Sequence, residues 1–77
     1  MREQRGETEK AMAWYEAGLG IDDLVESLYQ RIMACQFQLG RHADLVRTYQ
    51  RCRARLAAAL NVAPSPETEA IYSRIRN

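Results

Sequence analysis

The chain has 77 residues and a mass of 8.9 kDa, enough for one small domain with a thin core. Hydrophobic residues make up 47% and charged residues 27%, a globular balance, and a formal net charge of +1 gives no overall basic bias that would imply nucleic acid. No apolar run reaches the roughly 20 residues of a membrane helix, and MREQRGETEK lacks the apolar stretch of a secretory signal, so a soluble cytoplasmic protein without membrane contact is expected.

From Glu7 to Ala17 the residues are good helix formers, and Ala11, Trp14, Tyr15 and Gly18 are spaced to share a face. Gly18 or Gly20 is the expected end of that helix. Asp23 and Glu26 have the spacing of a capping box for the next one, which gives the carboxylates of this stretch a structural role rather than a catalytic or metal-binding one. The second helix is expected from about Leu24 to Leu39. Its apolar residues form two adjacent stripes, Leu24, Leu28, Ile32, Cys35, Leu39 and Val25, Tyr29, Met33, Phe37, so it should be covered from two sides.

Gly40 supplies a left-handed turn, and a third helix from about Ala43 to Leu60 presents Leu45, Tyr49, Cys52, Leu56 and Leu60 along one side. Arg47, Arg51 and Arg55 run down another side. After NVAP, Ser65 is the expected N-cap and Pro66 the first residue of a short closing helix over 66–76 that carries Ile71, Tyr72 and Ile75. No segment alternates as a strand does. The expected class is all-α, with about four helices.

Residues 4–18, QRGETEKAMAWYEAG, align with residues 38–52, QLGRHADLVRTYQRC, at a spacing of 34, pairing Gln4 with Gln38, Gly6 with Gly40 and Tyr15 with Tyr49. In the same register Ala11 and Gly18 fall on Leu45 and Cys52. Thirty-four residues is the period of the tetratricopeptide repeat, in which antiparallel helical hairpins stack into a right-handed solenoid. This makes Ala11, Tyr15, Gly18, Gly40, Leu45, Tyr49 and Cys52 the expected repeat-packing residues. It also makes residues 1–5 the expected stub of a truncated helix, separated from the next by a turn at Gly6. The whole of 1–77 then reads as one module, a fragment of something larger.

Leu28, Met33, Leu39-Gly40-Arg41, Tyr49, Arg51-Cys52-Arg53, Leu56, Leu60, Val62 and the run Pro64-Ser65-Pro66-Glu67-Thr68 together resemble the bacterial transcriptional activator domain, a tetratricopeptide-like module of bacterial regulators. Asn61 stands where that family often has Gly, so an Asn in left-handed conformation is expected to end the third helix. The resemblance implies a non-catalytic module that contacts other proteins, whether by self-association or with other regulator domains and the transcription machinery. Nucleic acid would then be reached only through companion domains, such as a winged helix, that these residues do not contain.

The residues themselves offer no competing chemistry. Cys35 and Cys52 are expected to be free thiols in apolar positions, since on neighbouring antiparallel helices they would sit very roughly 10 Å out of step. His42 reads as a solvated turn residue. No phosphate loop, dinucleotide fingerprint, nucleophile elbow or metal-ligand spacing occurs, so neither enzyme activity nor a cofactor is expected. Trp14 and the four tyrosines are most simply core or groove residues, while Trp14, Tyr29, Arg47, Arg51 and Arg55 are also candidates for a protein interface. The alternative is a DNA-binding helix-turn-helix, in which an arginine-rich third helix bearing Arg47, Arg51, Arg53 and Arg55, with Arg41 before it, contacts phosphates.

Overall fold

A computed structural model describes the backbone of residues 2–76 and the side chains of residues 6–76. Among the described residues the structure is all-helical: α1 (Arg2–Ile21), α2 (Glu26–Gln38), α3 (His42–Leu60) and α4 (Pro66–Arg76). The second helix is the centre, because α1, α3 and α4 all pack on it and α4 also touches α3. Its two apolar stripes explain this. Tyr29, Ile32 and Met33 are buried on it, each worth about 1.5–3 kcal/mol of apolar burial.

Ion pairs give the relative direction of α1 and α3. Glu9, Glu16 and Asp23 bond in that order to Arg41, Arg51 and Arg55, so the two helices run the same way, side by side. With α2 between them in the chain, α2–α3 is one antiparallel hairpin. In the 34-residue register α1 is the counterpart of α3, and α4 is the counterpart of α2. This is a tetratricopeptide-like α-solenoid fragment.

Two apolar clusters fill it. Leu19, Tyr29, Ile32, Cys52 and Leu56 form one, with Met12, Tyr15 and Leu28 against it. Met33, Leu45 and Tyr49 form the other, closed by Phe37, Ile71, Tyr72 and Ile75. Tyr15 and Tyr49 therefore both face the helix that follows their own. The Arg31 guanidinium lies 5.7 Å from the centre of the Tyr15 ring, and the Tyr49 ring stacks on Tyr72 of α4.

The turns follow from single residues. Gly40 has φ 73°, and the amides of Gly40 and Arg41 donate to the carbonyls of Phe37 and Gln36, a Schellman closure of α2. Asn61 takes φ 56° and ends α3, as the sequence suggested, with its amide donating to Ala57. Pro66 opens α4 at the first helical position, where a missing N–H costs nothing.

Three expectations are corrected. Gly6 makes no turn: α1 runs unbroken through it, so residues 2–5 belong to α1 and are no separate stub, while Met1 lies outside the described residues. The helix formers of REQR simply carry α1 onward, at the roughly 1 kcal/mol that an interior glycine costs. For the same reason α1 passes both Gly18 and Gly20 and ends at Ile21. Finally, Asp23 caps nothing. The N-cap of α2 is Val25, whose side chain has no acceptor to make a cap bond, and the Glu26 carboxylate bonds to Ser65 and Thr68 rather than back to the start of its own helix.

Candidate interaction surface

One helix decides where an outside partner could bind. The inner side of α1 bears Met12, Tyr15 and Leu19 toward α2 and α3, with Gly18 at the closest approach. A Cβ at Gly18 would lie 2.9 Å from a Leu28 methyl, so the small residue lets the two helices meet. The outer side of α1 is apolar as well. Trp14 is 77% exposed and Ile21 is 90% exposed, and Lys10, Ala13, Trp14 and Ala17 line a shallow depression there. Trp14 and Ile21 are seven residues apart, two helical turns, and so lie on one stripe. The expected shared face of Ala11, Trp14, Tyr15 and Gly18 is thus split. Tyr15 and Gly18 turn inward, Trp14 turns out, and the half-buried Ala11 sits at the rim of a second shallow groove with Thr8 and Cys35.

The other proposed residues divide by burial. Leu45 and Cys52 are fully buried and Tyr49 nearly so. Tyr29, a candidate for the interface, is only 1% exposed. Its ring packs in the first cluster under the Arg51 guanidinium, and its hydroxyl donates to the Asp23 carbonyl at 2.8 Å, so it is a core residue. His42 is exposed at the first position of α3 and stacks on Phe37 at 5.7 Å. Cys35 and Cys52 are both free, with burial raising both thiols, Cys52 to about 11.

Four of the five arginines considered as phosphate contacts are ion-paired, while Arg53 is exposed without an ion pair among the described residues. Arg41 meets Glu9 at 2.6 Å, Arg47 meets Asp44 at 2.8 Å, Arg51 meets Glu16 at 3.4 Å and Arg55 meets Asp23 at 2.9 Å. Three of these four pairs bridge α1 or its following loop to α3, or to Arg41 just before it. Each guanidinium is therefore neutralised locally, although at such exposure each pair adds little stability.

A polar clamp holding α4 was not legible from periodicity. The Glu26 carboxylate accepts from the Ser65 amide at 2.7 Å and from the fully buried Thr68 hydroxyl at 2.6 Å, while the Gln30 amide donates to both side chains. Burial by itself would raise the Glu26 carboxyl, but the hydrogen bonds from Thr68 and Ser65 outweigh it and hold the group below the ordinary carboxylate value. The only sequence signal was a helix start, Ser-Pro-Glu-Thr, with a threonine at the third helical position.

The fold is that of a stacked-hairpin module, with a wide apolar helix at its centre and one apolar helix face turned outward. The sequence matches the bacterial transcriptional activator domain over residues 1–76, and the chain belongs to that family. No curated protein and no solved structure matches it. The chain is accordingly a member of a transcriptional activator family, and none of its described helices is long and apolar enough to cross a membrane.

Proposed function

We propose that this chain is a non-catalytic protein-interaction and self-association module of a cytoplasmic bacterial transcriptional regulator, one unit of a larger protein. The observation that carries the reading is the outer stripe of α1. Trp14 and Ile21 are 77% and 90% exposed, flanked by Ala13 and Ala17, on a domain whose other large apolar side chains are mostly packed. A lone exposed apolar residue is ordinary, but a stripe centred on tryptophan resembles the centre of an interface. The four ion-paired arginines favour a protein surface over a phosphate-binding one.

Sedimentation velocity from about 1 μM to about 1 mM tests it, since weak module contacts fall in this range. The expected result is association that rises with concentration and is weakened by Trp14→Glu. A monomer throughout removes the self-association part of the reading.

A further inference from the structure

We infer that the outer face of α1 receives the α3–α4 end of a second copy of this chain, head to tail, so that the stack of hairpins continues from one molecule into the next. This deepens the self-association reading above and rests on it.

The internal repeat identifies what fits that face. Within one molecule α3 seats on the preceding helices through Thr48, Arg51 and Arg55. The Thr48 hydroxyl donates to the Gln36 side-chain oxygen at 2.9 Å, Arg51 pairs with Glu16 at 3.4 Å and Arg55 pairs with Asp23 at 2.9 Å. Thirty-four residues earlier, in the register that sets Tyr15 on Tyr49, the same positions of α1 are Trp14, Ala17 and Ile21. All three are exposed. The bare face of α1 is therefore the face by which α3, its repeat counterpart, holds its own predecessors.

The receiving side can be carried forward by the same step. Gln36, Glu16 and Asp23 receive α3, and thirty-four residues later stand Ala70, Gln50 and Ala57. These three are also exposed, Ala70 on α4 and the others on α3. The contacts within the molecule thus become three between molecules: Thr48–Gln36 becomes Trp14–Ala70, Arg51–Glu16 becomes Ala17–Gln50, and Arg55–Asp23 becomes Ile21–Ala57.

The Arg51–Glu16 and Arg55–Asp23 pairs lose the charge of both members in the same step, so docking buries no unpaired charge at these positions, while the third pair, Arg41–Glu9, becomes the exposed Glu7 opposite the exposed Ala43 and leaves one carboxylate. Size is exchanged too. The small Thr48 against the long Gln36 is replaced by the large Trp14 against the small Ala70. An arrangement in which one face meets a different face is heterologous and does not close on itself, so assembly should grow with concentration beyond two copies.

The test uses the full chain and two variants, each with one face spoiled. Trp14→Glu disables the α1 face, and Ala57→Glu disables the α3 face at an exposed helical position that tolerates glutamate. Association of either variant alone should weaken by more than about tenfold, while an equimolar mixture should form a dimer that grows no further, because each partner keeps one good face. Ile21→Glu with Gln50→Glu serves as a second pair, and unchanged helical circular dichroism and melting show that the variants fold.

If Ala57→Glu and Gln50→Glu assemble alone as the parent does, the head-to-tail contact is wrong while self-association stands. If folded variants stay monomeric when mixed, the contact is also wrong. If the parent chain never associates, this inference falls together with the self-association reading.

Discussion

The rings of Tyr49 and Tyr72 stack with centroids 4.0 Å apart and planes within 4° of each other, and this pair is an apolar link between α3 and α4. The Tyr49 hydroxyl also donates to the Glu69 carboxylate at 2.7 Å, one turn before Tyr72 on the same helix. The hydrogen bond to Glu69, followed by burial, raises the Tyr49 phenol above its ordinary value, so the neutral hydroxyl is the form the fold prefers. Replacing Tyr72 by Ala should cost about 2–4 kcal/mol, somewhat below the loss at a fully enclosed aromatic, because Tyr72 is only half-buried. Tyr49→Phe keeps the stack and should cost about 0.5–1.5 kcal/mol. Urea unfolding of the two variants checks both the magnitudes and their order; equal losses would mean the ring contact contributes nothing beyond the hydroxyl.

The Glu26 clamp predicts a pH response. Its carboxyl titrates lower in the folded chain than in the unfolded one, so the unfolded state binds the proton more readily at mildly acid pH. The stabilisation is present above the ordinary value of 4.5 and is lost as pH falls through the lower, folded value. Glu26→Gln should flatten the decline in stability below pH 4.5 relative to the parent. Glu26→Ala, which strands the Ser65 amide and the buried Thr68 hydroxyl, should cost about 1–3 kcal/mol near neutral pH. Thermal melting from the acid range to neutral pH measures both, and an unchanged acid slope in Glu26→Gln would mean that the clamp does not hold the Glu26 carboxyl below its ordinary value.

Much of this architecture was readable from spacing alone. The double stripe on α2 announced a helix covered from two sides, and the pairing of Tyr15 with Tyr49 located two parallel helices. What spacing could not show was rotation and long-range polar contact. Trp14 and Tyr15 are neighbours in the chain that point about 100° apart around the helix, and only the placement of α2 decides that one is half-buried and the other bare. Tyr29 carries the same ambiguity with the opposite outcome. Glu26 and Thr68 lie 42 residues apart, so no local pattern joins them. Gly6 misled because glycine permits a turn without requiring one, whereas Gly40, at φ 73°, does occupy the left-handed region.

That contrast among glycines is itself testable. Gly40→Ala forces a Cβ into left-handed backbone and should cost about 1–2 kcal/mol. Gly20 lies within α1 with nothing within 4 Å of an added Cβ, so Gly20→Ala should raise stability, by up to about 1 kcal/mol. Asn61→Gly should stabilise by a few tenths of a kcal/mol to about 1, because Asn61 holds φ 56° at the end of α3 and glycine removes the Cβ strain there. Chemical denaturation of the three single variants gives the signs directly. A destabilised Gly20→Ala would mean that α1 ends earlier than Ile21.

The two thiols should differ in reactivity, and the difference reports on the core. Cys52 has no exposed surface and sits with Leu19, Tyr29, Ile32 and Leu56, while Cys35 is half-buried at the rim of the groove beside Ala11. Burial, reinforced by the charges of Glu26 and Glu69, pushes the Cys52 thiol up to about 11, and burial also raises Cys35. Since the thiolate is the nucleophile, both should be slow toward a thiol-selective alkylating reagent at about pH 8, with Cys35 modified first. Cys52 should react only through opening of the fold, so its rate should rise in parallel with the unfolded population as urea is added. Peptide mass spectrometry of the time course resolves the two sites. Equal rates in the absence of denaturant would place Cys52 at the surface and remove the first core cluster, and with it the packing that sets α1 beside α3.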